Sequence, residues 1–251
     1  MLVFAHRGAS GHEPENTILA IQQALAMKVD AIEVDVHLSG DQLVVIHDRW
    51  LHKTTNGKGK ITDLSFDELR ALDAGKGQRI PTLEEILIEI NGQCLINIEL
   101  KADRTVIPLM NLIDKAVLEY NFDYSQFLFS SFNHHLLFEI KSLNRQLNIG
   151  ALTASCPLDY AAFAQQLNAY SVHIDIDFVN TDFINDAHQR GLKVYVYTVD
   201  DEADIVDMHQ HGVDGIFTNY PTRSMVKIAH LKEIPPTPGS PCVDINNQIS
   251  E

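Results

Sequence analysis

Ala31-Ile32-Glu33-Val34-Asp35-Val36-His37-Leu38, then Ser39-Gly40-Asp41-Gln42, then Leu43-Val44-Val45-Ile46-His47: the number of strands in this stretch decides the fold. Polar and apolar residues alternate through Ala31–Leu38, which marks a strand with two unlike faces. Leu43–His47 is a second, apolar strand-like run. The link between them, built around Ser39-Gly40-Asp41, is too short for a helical crossover. The two runs must therefore form an antiparallel hairpin.

Outward from this hairpin, further strand-like runs occur at Val3–His6, Leu95–Leu100, Phe127–Ser131, Ile149–Leu152, Val172–Ile176, Val194–Val199 and Gly215–Thr218. Amphipathic stretches alternate with them: Asn16–Met27, Thr82–Ile90, Pro108–Tyr120, His134–Leu143, Leu158–Leu167, Asp182–Gln189 and Glu202–His211. Thr82 with Glu85 forms a capping-box pattern, and Gly191 and Gly212 stand where helix-ending glycines belong. With Leu43–His47 set aside as a return strand, eight β units with helical crossovers remain. That pattern implies a parallel sheet closed into a (β/α)8 TIM barrel, and the alternative is an open doubly wound sheet. Arg49–Ile80 breaks the rhythm as a small insertion above the barrel mouth, with a short helix opened by Ser65. The expected organisation is one barrel unit over 1–232 with the insertion at 49–80. A loosely ordered, Pro-rich extension follows over 233–251.

Composition narrows the function. A formal charge of −15 excludes a nucleic-acid partner, because phosphate binding needs a basic face. No apolar run approaches the ~18 residues of a membrane span. Met1–Ala5 is too short for a signal peptide and reads as a first strand, so the expected compartment is the cytoplasm. Cys94, Cys156 and Cys242 are far apart and form no CxxC pair, so neither disulfides nor a zinc site is expected. An anionic substrate would require a locally positive site within this acidic protein.

The hairpin supplies such a site. Ile32, Val34 and Val36 would face the helices, which puts Glu33 and Asp35 inside the barrel. In Leu95–Lys101 the same period places Asn97, Glu99 and Lys101 on the inner face. Burying isolated carboxylates costs several kcal/mol each, so Glu33, Asp35 and Glu99 together call for a counter-charge. Oxygen ligands of this kind suit Mg2+ or Ca2+ better than zinc. The competing explanation is an ion-pair network in which Arg7 and Lys101 alone neutralise the acids. His6 and His47 each end a strand-like run beside this cluster, and imidazoles placed there can act as acid or base near neutrality. Asp48 either orients His47 or caps a turn. Arg7 and Lys101 also suit phosphate oxygens. His134, His135, His209, His211 and Gly57-Lys58-Gly59-Lys60 are expected to have no direct role.

Taken in order, His6-Arg7-Gly8, Glu15-Asn16-Thr17, Glu33-Val34-Asp35, His47-Asp48 and Glu99-Leu100-Lys101 resemble the glycerophosphodiester phosphodiesterase family. Ser130-Ser131-Phe132, Tyr197-Thr198-Val199-Asp200 and Gly212-Val213-Asp214-Gly215 extend the resemblance, which covers about residues 1–230. It implies hydrolysis of glycerophosphodiesters to glycerol 3-phosphate and an alcohol, assisted by Mg2+ or Ca2+. His6 and His47 would be the acid–base pair, Glu33, Asp35 and Glu99 the metal ligands, and Arg7 and Lys101 the phosphate ligands. Tyr197 stands where the family commonly has Trp, and Asn219 where Asp is common. Both are expected near the mouth, outside the core set, where they bear on the alcohol. Two other functions compete: a phospholipase D-like enzyme for lysophospholipids, which needs an apolar groove near the insertion, and a silent ligand-binding barrel. The residues leave the oligomeric state open.

Overall fold

The computed structural model describes residues 1–233. Their strands are β1 (Leu2–Ala5), β2 (Ala31–Ser39), β3 (Gln42–Val45), β4 (Leu95–Leu100), β5 (Phe127–Ser131), β6 (Asn148–Thr153), β7 (Ser171–Asp175), β8 (Lys193–Tyr197) and β9 (Gly215–Thr218). Eight of them pair in parallel around a ring, and β1 joins both β9 and β2 to close it. The open-sheet alternative is thereby excluded.

The remaining strand, β3, is the return arm of the hairpin, paired antiparallel to β2 with Val36 opposite Val45. Its position follows from alternating carbonyls. Val36 O accepts from Lys101 N on the β4 side, so Asp35 O points to the other edge, where it accepts from Ile46 N. β2 thus gives one edge to β4 and shares the other between β1 and β3. The side chains of β3 and of Ile46 just after it are divided in the same way. Leu43 and Val45 join the main core, while Val44 and Ile46 join a separate cluster with Leu51, Ile61, Leu69 and Ile80 of the insertion.

The helices are α1 (Ile18–Ala26), α2 (Phe66–Arg70), α3 (Leu83–Ile90), α4 (Val106–Glu119), α5 (His134–Leu143), α6 (Ala162–Gln166), α7 (Thr181–Gln189), α8 (Glu202–Gln210) and α9 (Pro221–Glu233). Capping boxes open α2 at Ser65 with Glu68, and α3 at Thr82 with Glu85. None of the described helices is long and apolar enough to cross a membrane.

Two helices differ from expectation. The stretch from Leu158 forms only the five residues of α6, because Tyr160 has a left-handed φ of 46° and breaks the turn, leaving Leu158 fully exposed. α9 follows β9 where no helix was expected. Arg223, Lys227, His230 and Lys232 interrupt its apolar pattern, and Ile228 and Ser224 carry its buried side. Beyond Glu233, the expected extension lies outside the described residues.

Inside the barrel Phe4, Ala31, Leu128, Tyr195 and Phe217 form a plug below the mouth, with Phe4 and Phe217 ring centroids 4.6 Å apart. His173 lies against Phe217 and fills the space over Gly150, where a Cβ would meet its Nε2 at 2.2 Å. The outer faces of the strands pack against the helices in one continuous aliphatic layer.

Candidate active site

At the C-terminal ends of the strands, the mouth brings together residues from both ends of the sequence. β1 ends in Ala5, and Arg7 and Gly8 follow with φ values of 58° and 78°. The left-handed turn suits Gly8, whose backbone passes so close to α1 that a Cβ would lie 2.8 Å from Ala20 O. It also turns Arg7 back over the barrel, where its backbone N–H donates to Glu33 Oε2 at 2.8 Å. The Arg7 guanidinium donates to Glu15 Oε1 at 2.8 Å and has Nε 3.3 Å from Asp35 Oδ2.

Glu33 and Asp35 project inward from β2 and are 2% and 1% exposed. Glu99 projects from β4, opposite Asp35 in register. The three carboxylates each offer an oxygen, and these oxygens lie within 4.8 Å of one another. Lys101 forms ion pairs with Glu99 and, at 3.2 Å, with Asp35 Oδ1. Burial, with Asp35 and Glu99 nearby, pushes Glu33 well above the usual carboxylate range. Burial and Asp35 likewise push Glu99 up to about 7. Asp35 is held down to about 2, because Lys101 and Arg7 together outweigh the burial that would raise it.

Two cations therefore do not suffice for three buried carboxylates. Glu33 Oε1 and Asp35 Oδ1 are buried without a hydrogen-bond donor. Three converging carboxylates, with Glu33 Oε1 left without any partner, fit a hard divalent cation, and the ion-pair explanation leaves that atom unaccounted for.

His6 is half-buried beside the cluster, its Nε2 4.0 Å from Glu33 Oε2 and its Nδ1 2.9 Å from Asn219 Oδ1. Burial, with the Arg7 charge, lowers its pKa to about 4, so the ring is neutral. His47 follows β3, and its ring lies within electrostatic reach of both Asp35 and His6. Its backbone carbonyl accepts from His37 Nε2 at 3.0 Å, and its Nδ1 lies 3.5 Å from Asp48 Oδ2 without hydrogen bonding to it. Asp48 is thus a charge neighbour of the ring. The central cavity, about 250 Å³ including its open mouth, is lined by His6, Glu33, Glu99, Asn97, His173 and Tyr197 among others.

Several site residues escaped the sequence reading. Asn16 clamps Asp35 from two sides, with Nδ2 donating to Asp35 Oδ2 at 2.8 Å and Oδ1 accepting from Asp35 N at 3.2 Å. Its position between Glu15 and the N-cap Thr17, just after the first strand, was the available signal. Asn219 differs from expectation. It does touch the core set, through His6, and it is held in turn by Asp200, whose Oδ2 accepts from Asn219 Nδ2 at 2.7 Å. Tyr197 does sit at the mouth, donating to Thr153 O and facing Phe132 edge-on.

The insertion contributes no residue to the cavity lining. Its described contacts reach the segment between β1 and α1 through Lys76 to Glu13, the first turn of α1 through Leu19 N to Gln78, and α3 through Arg70 to Glu85. Leu51 is buried in the insertion's own core, and Leu64 and Phe66 pack against it, leaving Trp50 exposed. Among the described residues these side chains therefore form no apolar groove. Gly57–Lys60 belongs to a short ribbon in which Trp50 bridges Lys60. His134, His135, His209 and His211 lie on α5 and at α8, and none of them lines the cavity.

Comparison with known proteins places this geometry in a family. Residues 6–223 match the model of the glycerophosphoryl diester phosphodiesterase family. A glycerophosphodiester phosphodiesterase of Caldanaerobacter subterraneus subsp. tengcongensis is 38% identical over 230 residues, covering 88% of this chain and 94% of that protein. One from Bacillus altitudinis is 34% identical over 235 residues, covering 89% and 96%. Among solved structures, an Oleispira antarctica phosphodiesterase in complex with its product sn-glycerol-3-phosphate superimposes with a TM-score of 0.84. It is 30% identical, with 91% of this chain and 97% of that chain covered.

Proposed function

The chain belongs to the glycerophosphoryl diester phosphodiesterase family, and on that premise we propose that it hydrolyses glycerophosphodiesters to sn-glycerol 3-phosphate and an alcohol. The observation that carries the reading is the convergence of Glu33, Asp35 and Glu99 beside a neutral His6, with Arg7 and Lys101 within ion-pair reach. A phosphodiester needs its oxygen charge neutralised, its nucleophile deprotonated and its alkoxide protonated.

Glu33, Asp35 and Glu99 would hold a divalent cation, Mg2+ or Ca2+ by their all-oxygen chemistry. When bound, that cation supplies Lewis-acid neutralisation of the phosphoryl oxygens. Arg7 and Lys101 bind the phosphate, the first as a planar fork and the second as a point charge. His6 presents a free Nε2 to the cavity and serves as the base for the nucleophile. His47, on the return strand, protonates the departing alcohol. Residues 1–232 act as one catalytic unit. The insertion at 49–80 acts on the site through its contacts with the segment after β1, which carries Glu15 and Asn16.

The test is turnover of glycerophosphocholine by purified protein, followed by release of glycerol 3-phosphate and choline. Chelation should abolish it, and Mg2+ or Ca2+ should restore it. Full turnover after exhaustive chelation, with no metal found by elemental analysis, would overturn the metal reading. The leaving group separates the two histidines. His47→Ala should lose ~10²–10⁴-fold on glycerophosphocholine and far less on the p-nitrophenyl ester of glycerol 3-phosphate, whose phenolate leaves without a proton. Rescue of His6→Ala by that ester would exchange the two roles.

A further inference from the structure

We propose that Asp200 is a positioning residue for His6. Acting through the side-chain amide of Asn219, it holds the imidazole proton on Nδ1 and leaves Nε2 free. This rests on the reading of His6 as the base.

The three residues follow or end neighbouring strands, Asp200 after β8, Asn219 after β9 and His6 after β1. An ionised carboxylate can only accept hydrogen bonds. Asp200 Oδ1 accepts from Asn219 N at 2.8 Å and from Thr218 Oγ1 at 3.0 Å, and Oδ2 accepts from Asn219 Nδ2 at 2.7 Å. The amide nitrogen of Asn219 must therefore face Asp200, because the reverse orientation would set two acceptors against each other.

The amide oxygen is thereby turned toward His6 and lies 2.9 Å from Nδ1. An amide oxygen also only accepts, so the Nδ1 of His6 carries the proton. Ser10 Oγ lies 2.7 Å from both Asn219 Oδ1 and His6 O; its single proton serves only one of these acceptors, so the orientation rests on the Asp200 contacts. The polarity runs one way along the chain of contacts, from carboxylate to amide to imidazole. At its end Nε2 faces the cavity with its lone pair, on the side of Glu33.

A one-atom substitution should reverse this chain. In Asp200→Asn the new amide oxygen keeps the position that receives two donors, Thr218 Oγ1 and Asn219 N. The new amide nitrogen then occupies the other position and donates to Asn219. Asn219 turns over, offers its own Nδ2 to His6 Nδ1, and the imidazole proton moves to Nε2. Adding Asn219→Asp should restore the original polarity. A carboxylate at position 219 accepts from the substituted amide at position 200 on one side and from His6 on the other.

The readout is 15N NMR of the histidine rings, with His6 assigned by its loss in His6→Gln, alongside steady-state kinetics. The unsubstituted protein should carry the His6 proton on Nδ1, and Asp200→Asn should carry it on Nε2. That variant should lose ~10²–10⁴-fold in kcat with KM within about threefold, as expected when a histidine base is held in the wrong tautomer. The double variant should recover the Nδ1 proton and return kcat to within about tenfold of the parent. A proton on Nε2 in the parent, or an unchanged tautomer and rate in Asp200→Asn, overturns the proposal, as does a double variant no better than the single one. The two ideas fail separately. If His6→Ala loses less than about tenfold, His6 is not the base, whatever its tautomer.

Discussion

Strand β2 has two faces that are equally buried and energetically opposed. On the helix side Ile32, Val34 and Val36 are 0% exposed and part of one aliphatic layer. Such side chains contribute about 1.5–3 kcal/mol each when fully removed from water. On the barrel side Glu33 and Asp35 are just as inaccessible, but each carboxylate costs several kcal/mol to bury, and Arg7 and Lys101 offset only part of it. Burial alone therefore does not reveal what a residue does. The outer face carries the stability that the inner face gives up for chemistry.

Substitutions on the two faces should separate activity from stability. The largest effect is expected inside. Glu33→Gln should lower kcat/KM by ~10³-fold or more, because it removes a ligand oxygen, with thermal unfolding little changed, because burial already raises this carboxyl toward its neutral form. Equal losses of stability and activity would erase the distinction. On the outer face, Ile32→Ala should cost about 2–5 kcal/mol in denaturant unfolding while folded molecules keep their turnover.

A pH series in chelator sharpens the contrast. Glu99 is raised from its ordinary 4.5 to about 7, so the native state binds its proton more tightly than the unfolded chain does. That contribution to stability is complete below about pH 4.5 and is lost as pH rises toward about 7. Glu99→Gln should flatten the Tm profile across this window, and Ile32→Ala should only shift it downward. A Glu99→Gln profile parallel to the parent's would show that its carboxyl titrates normally. The smallest effect is expected far from both faces. Ser65→Ala removes the cap of α2 and should cost about 1 kcal/mol, with kcat unchanged. A larger loss of turnover would mean that the insertion controls the mouth more tightly than its contacts indicate.

Much of this was legible before any coordinates. The period of two in Ala31–Leu38 and Leu95–Lys101 placed Glu33, Asp35, Glu99 and Lys101 on one side, and the structure gathers them there. The capping pairs at Ser65 and Thr82 were visible because both partners lie within four residues. The helix expected from Leu158 failed because composition does not reveal the left-handed turn at Tyr160. Asn219 was placed outside the core set because nothing local distinguishes an asparagine that caps a loop from one that holds a catalytic ring.

By itself, the sequence determined the strand count, the hairpin that removes one strand from the ring, and which side chains face inward. These follow from local rules: side chains alternate along a strand, and so short a link cannot cross over. Only the tertiary structure decided that β3 takes the free half of the β2 edge, that Asn16 clamps Asp35, and that Asp200 reaches His6 through Asn219. His6 and Asn219 are 213 positions apart, and they meet because the ring closes β9 onto β1. Periodicity tells which way a side chain points, but closure determines what stands opposite it, and closure depends on every strand in the ring.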